Sequence, residues 1–281
     1  MTISLWHRVP VLVRAVLLGL LVTAAATYPW VWLVTANLHH APGVPWAAAA
    51  MGAYLWLYRR YATGRGWPAS TASARRANAR IRPLSGDVWS AAILAGMLGL
   101  ATAIVLIGLI GRLVAVPQER LADTATIPPL TLLATAVVGA AVAGIAEELG
   151  FRGYMQRPIE QRHGPVVAIV VVGLAFGFAH AGHTEWSLVL MPYYMAVAAV
   201  YGGLAWLSDS ILPSLALHAG GDLLGTLQYL ATNHSIESPA TVTPTGVNAA
   251  FFGVLGILLA LGTAAVMAYR LLAVAVRKAP R

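Results

Sequence analysis

Few residues in this chain could do acid–base chemistry in apolar surroundings, and they cluster. Of the ten acidic residues, Glu147, Glu148 and Asp222 lie inside or at the edge of long apolar runs. Of the eight histidines, His180 and His218 do, with His183 three residues beyond His180. A charge within a membrane span is costly, so each one needs a reason. They occupy three segments: Ala146-Glu147-Glu148-Leu149-Gly150-Phe151-Arg152, Phe176-Gly177-Phe178-Ala179-His180 and His218-Ala219-Gly220-Gly221-Asp222. Carboxylates and imidazoles can exchange protons with water and leaving groups, or hold a metal ion. With no cysteine in the chain, disulfides, thiol nucleophiles and Cys-based metal sites are excluded.

The spacings narrow the geometry. Glu148 and Arg152 are four apart, so they share a helix face and can pair, leaving Glu147 about 100° around the helix. Phe176 lies one turn below His180, and His218 and Asp222 can project together into one cavity. Between Glu147 and His180, the midpoint falls at His163-Gly164, directly before Pro165, where a helix hairpin should turn. Glu147 and His180 are then at similar depth, and antiparallel neighbours would bring them into register. Gly173-xxx-Gly177 and Gly221-xxx-Gly225 would permit close helix packing.

Plainer readings stand beside these. Glu148–Arg152 reads as a structural ion pair at a helix end, and Glu147 could be an interfacial carboxylate reaching the headgroups. Phe176 and Phe178 read as core, His163 and His183 as interfacial residues. Asn233-His234-Ser235 fits a glycosylation sequon, a triplet common by chance.

The elements that must position these groups follow from composition. Of 281 residues, 59% are apolar and only 10% charged, with a mean hydropathy of +0.73. A soluble domain carries about 25% charged residues, so a cytosolic globule, a disordered chain and a coiled coil are excluded. The expectation is an all-α polytopic membrane bundle of about eight helices, over 11–35, 43–58, 88–111, 130–150, 165–182, 187–207, 211–230 and 248–273. The first run resembles a signal peptide, but its apolar stretch continues through Trp30–Val34, so it is read as a retained span. Trp46, Trp56, Trp89, Trp186 and Trp206 fall near run ends, as an aromatic belt requires.

The net charge of +8 is read as basic flanks of membrane spans, not as a nucleic-acid surface. With both termini cytoplasmic, only Arg112 and Arg120 of the 18 basic residues fall outside. The one long polar stretch, 59–87, reads as a solvated Arg-rich cytoplasmic loop, with an interfacial helix as the alternative. It separates a two-helix region, 1–87, from a six-helix region, 88–281. No internal repeat is visible, which counts against a transporter.

The three segments together resemble the CPBP family of intramembrane proteases, which includes the CAAX prenyl endopeptidases and bacteriocin-processing relatives. That family's pattern is EExxxR, then FxxxH, then HxxxN or HxxxD, and this chain matches all three in order within about 130–225. The resemblance implies that Glu147 is the general base that activates a water, with His180 as its partner. It implies that His218 and residue 222 stabilise the oxyanion at the scissile carbonyl, with Glu148, Arg152 and Phe176 in support. Where many members have Asn, this chain has Asp222, which donates no hydrogen bond when ionised. Asp222 is then protonated, orients His218, or helps to hold a cation.

No cofactor follows with certainty. Zinc is the one candidate, and Glu147, His180 and His218 would hold it; the resemblance leaves metal-dependent and metal-free mechanisms open, and the glutamate-activated water is preferred. The expected activity is endopeptidase cleavage of a membrane-associated protein or peptide, in the plasma membrane of a bacterium, with the bilayer and no nucleic acid as further partner. A catalytically silent scaffold of the same fold, acting in immunity or sorting, is the alternative; a proton-coupled transporter using Glu147, Glu148 and Asp222 is the weaker one.

Overall fold

The computed structural model describes residues 5–116, 126–180, 188–231 and 244–279. Arg120, His183, Trp186 and the Asn233-His234-Ser235 triplet lie outside the described residues. Among the described residues each of the eight apolar runs is helical, and there is no β-strand. The helices are α1 (Val11–His40), α2 (Trp46–Ala62), α3 (Ala72–Ala79), α4 (Gly86–Leu113), α5 (Pro129–Glu147), a π-helix (Glu148–Gln156), α6 (Arg157–His163), α7 (Pro165–Ala179), α8 (Met191–Ser208), α9 (Leu212–Ala231) and α10 (Ala249–Lys278). The chain is an integral membrane protein of the expected all-α polytopic class.

Among the described residues, five helices are long and apolar enough to cross a membrane: Val11–His40, Gly86–Leu113, Pro129–His163, Leu188–Ser208 and Ala249–Lys278. The other three runs fall short through length or polarity. α7 has 15 residues and α2 has 17. That is about 22 Å and about 26 Å of helix against a hydrocarbon core of roughly 30 Å. α9 has 20 residues but carries His218, three glycines and Asp222. The turn expected at 163–164 is present: Gly164 ends α6 with φ 84° and Pro165 opens α7.

The chain divides into two compact units. The first comprises Met1–Ile81, Ala122–Ala168 and Leu215–His234. Within it α1 packs on α2, α5, the π-helix and α6, and α3 packs on the π-helix. Buried Asn37 makes the α1–α2 corner: its Nδ2 donates to the Ala41 and Val44 carbonyls, both at 2.9 Å, and its Oδ1 accepts from the Ala47 amide at 2.8 Å. One side chain thus satisfies three of the corner's backbone groups.

The 59–82 stretch is folded rather than a plain solvated loop. Arg75 is 5% exposed and donates to the Tyr61, Gly66 and Pro68 carbonyls and to Thr71 Oγ1. Arg80 forms a two-pronged pair with Glu160, at 2.9 and 3.0 Å. A guanidinium carries five donors in a rigid fork, so one arginine can tie several turns of chain together.

The second unit comprises Arg82–Leu121, Ile169–Ser214 and Ser235–Arg281. Here α4 packs on α8 and α10, and α8 packs on α10. Between α10 and α8, Tyr269 Oη donates to the Val200 carbonyl at 2.7 Å.

Candidate active site

Small residues let the site's helices approach closely enough to bring distant side chains together. A Cβ at Gly144 of α5 would lie 2.8 Å from the Ala219 Cβ of α9. Gly144 is one turn before Glu148, and Ala219 adjoins His218, so this contact sets the two charged groups opposite each other. After Glu147 the helix widens into nine residues of π-helix, all of them buried. Such widened turns are rare and often mark functional sites. Glycine lets the π-helix meet α1 closely: a Cβ at Gly150 would collide with Thr23 Oγ1, and one at Gly19 would lie 2.8 Å from the Gly150 carbonyl.

The result is a relay of buried ions. Arg152 NH1 lies 3.1 Å from Glu148 Oε1, and both side chains are fully buried. The same Oε1 lies 3.0 Å from His218 Nδ1. A carboxylate paired with a guanidinium only accepts, so Nδ1 carries the proton and Nε2 is the working nitrogen. His218 Nε2 lies 3.8 Å from Glu147 Oε2 and 3.7 Å from Asp222 Oδ2. Those distances exceed a direct hydrogen bond but leave the charges strongly coupled. Glu147 Oε2 is buried and accepts no hydrogen bond among the described residues. Asp222 sits at the rim, its side chain 44% exposed.

His180 lies in the second unit with its own partners. Its Nδ1 is 2.7 Å from the Phe176 carbonyl; a carbonyl only accepts, so Nδ1–H donates and Nε2 is left with its lone pair. The ring sits 4.3 Å from Phe176 and 4.9 Å from Tyr194, centroid to centroid. α7 reaches α8 through glycine, since a Cβ at Gly177 would lie 2.6 Å from Met191 Sδ and one at Gly173 2.6 Å from Met195 Sδ.

Glu147, Glu148, Arg152, His218 and Asp222 therefore assemble within the first unit, and Phe176 and His180 within the second. The Glu148–Arg152 pair and the Phe176–His180 wall follow from helical spacing. The Glu148–His218 bond joins residues 70 apart, and Tyr194 comes from a different helix; no local pattern points to either. Of the two glycine motifs, Gly173 and Gly177 make close contacts, whereas among the described residues nothing lies within 4 Å of a Cβ at Gly221 or Gly225. Among the described residues no group of three or more His, Asp and Glu side chains is arranged to hold a metal ion.

No curated protein and no solved structure matches the chain. Residues 129–224, from the start of α5 to just past Asp222, match the model of the family described as type II CAAX prenyl endopeptidase Rce1-like, which bears out the resemblance carried by the three motifs.

Proposed function

We propose that the protein is an intramembrane endopeptidase cleaving a membrane-associated protein or peptide, with Glu147 as the general base. The observation that carries this reading is the buried relay Arg152–Glu148–His218, which faces Glu147 and Asp222 inside the segment matched by the protease family. In this mechanism Glu147 takes a proton from water as the water oxygen attacks the scissile carbonyl carbon. The family resemblance gives His180 as the partner of Glu147 in activating that water. With Nδ1–H held on Glu148, His218 as an imidazolium presents Nε2–H to the developing oxyanion, beside residue 222. Glu147 then returns the proton to the departing amine as the C–N bond breaks, which regenerates the carboxylate and completes the hydrolysis. Glu148 and Arg152 hold the His218 ring and touch no reacting atom.

The test is cleavage of membrane peptides by purified protein in micelles, with prenylated and unmodified CAAX-type peptides as two arms. Glu147→Gln keeps shape and hydrogen bonding but removes basicity, so turnover should fall by about two to four orders of magnitude while peptide binding persists. Near-normal cleavage by Glu147→Gln, free of contaminating protease, would sink the assignment. Parallel assays after chelation read metal dependence directly: activity that survives supports the glutamate-activated water, and activity restored by added zinc replaces it.

A further inference from the structure

We propose that the end of α2 and the turn after it form a binding site for the phosphate of an anionic lipid headgroup. Arg59, Thr63, Arg65, Arg76, Ala79 and Ile81 line a cavity of about 160 Å³. Three guanidinium groups, with no acidic side chain in the lining, match the multiple acceptor oxygens of a phosphate; the Thr63 hydroxyl donates to the Arg59 carbonyl at 2.7 Å. Among the described residues, none of Arg59, Arg65 and Arg76 pairs with a carboxylate. Their charge is therefore left for a ligand.

The walls are braced. Arg75 fastens the turn by donating to the Tyr61, Gly66 and Pro68 carbonyls, and its guanidinium lies 4.3 Å over the Tyr61 ring. Gly64 turns the chain with φ 70°, and a Cβ there would collide with the Ala72 carbonyl oxygen. Arg76 NH1 donates to the Gly64 carbonyl at 2.9 Å, which fixes one prong of its fork on the cavity rim. Arg76 is thus held in place before any anion arrives, which lowers the ordering cost of binding.

Neighbouring side chains set the depth and select a lipid over a free anion. Trp56, Tyr61 and Trp67 are 55%, 53% and 87% exposed, and Arg60 lies 4.9 Å over the Trp56 ring. Exposed Trp and Tyr at a helix end sit at headgroup level, where basic pockets meet anionic lipid. α3, which supplies Arg76 and Ala79, also packs on the π-helix. Occupancy of this cavity steadies the element against which the π-helix rests, and the site stands whether or not the protein is a protease.

The test uses the purified full chain in uncharged detergent micelles, titrated with phosphatidylglycerol and separately with inorganic phosphate. Bound lipid is counted by native mass spectrometry, and thermal stability is followed in parallel. Saturable phosphatidylglycerol binding is expected, weakened about fivefold by Arg65→Gln and about a hundredfold by Arg59→Gln/Arg65→Gln/Arg76→Gln. A control removing equal charge elsewhere, Arg270→Gln/Arg277→Gln/Lys278→Gln, should bind as the wild type does. Arg65→Gln keeps the test decisive if the triple variant fails to fold, because the Arg65 side chain makes no hydrogen bond among the described residues. Wild-type affinity in Arg65→Gln, or equal weakening in the control, overturns the site. Inorganic phosphate that displaces the lipid at equal concentration overturns the lipid assignment in favour of a soluble phosphate.

Discussion

All nine residues of the π-helix are buried, whereas α10, 30 residues long, buries Ala265, Ala268 and Leu272. α10 is apolar along most of its length, whereas the π-helix begins at the end of an apolar run and carries Glu148, Arg152 and Gln156; their partners differ as well. α10 turns Ile257, Leu259, Val266, Met267 and Leu271 outward; lipid tails are as apolar as leucine, so such a face needs no specific fit. The π-helix instead holds Glu148 and Arg152 away from any solvent and meets α1 with glycine on both sides. Buried ions and backbone-to-backbone contacts tolerate little change. Apolarity places α10; complementarity places the π-helix.

The contrast breaks most readily at Arg152. Arg152→Met leaves Glu148 buried without its guanidinium, and unfolding in micelles should show a loss of about 3–5 kcal/mol. Adding Glu148→Leu should recover most of that loss, because a well-packed apolar pair often replaces an ion pair at no net cost. Peptide cleavage should stay low in the double variant, since His218 Nδ1 has lost its acceptor. Unchanged stability in Arg152→Met would remove the distinction between the two regions.

Next in size is overpacking. Gly150→Val drives a side chain into Thr23 Oγ1 and the Gly19 carbonyl, at a cost of about 3 kcal/mol. Gly256→Ala in α10, where no described residue lies within 4 Å of the added Cβ, should change stability by less than about 1 kcal/mol, in the stabilising direction. Equal destabilisation by the two substitutions would contradict the comparison.

Asp222→Asn sharpens it from the exposed edge of the site. Stability should shift by no more than about 0.5 kcal/mol, given the half-open position of the side chain. Turnover should hold or rise, because the amide supplies a hydrogen-bond donor toward an oxyanion. A drop of more than tenfold would give the Asp222 carboxylate a role of its own. The smallest effect belongs to Ser73→Cys, which should leave stability unchanged in a chain otherwise free of cysteine. An impermeant maleimide should label it from the cytoplasmic face alone. Arg80 joins the basic 59–82 stretch to Glu160 in the basic 152–164 stretch, so labelling from outside would reverse both together.

Helix positions were legible in the sequence because each run reports its own apolarity, and a span must satisfy its backbone within itself. The eight runs fall on α1, α2, α4, α5 with the π-helix, α7, α8, α9 and α10, with ends displaced by a few residues in most. Asn37 shows why ends are harder: α1 continues to His40, past the expected end at 35, and Asn37 in its last turns ties the corner beyond through three hydrogen bonds. The Arg-rich 59–82 stretch misled for a related reason. Arginine count suggests solvent, but Arg75 is buried because nearby carbonyls satisfy it.

For the site, sequence alone determined the residue types, the three segments and the pairs within one helix: Glu148 with Arg152, and Phe176 below His180. It left Glu148 with a single partner. Tertiary structure decided that Glu148 also receives His218 Nδ1–H, that Nε2 faces Glu147 and Asp222, and that Tyr194 covers His180. The physical reason is range. Periodicity reports the face of one helix, whereas the Gly144–Ala219 approach and the π-helical widening at Gly150 depend on which backbones meet, and no local pattern records that.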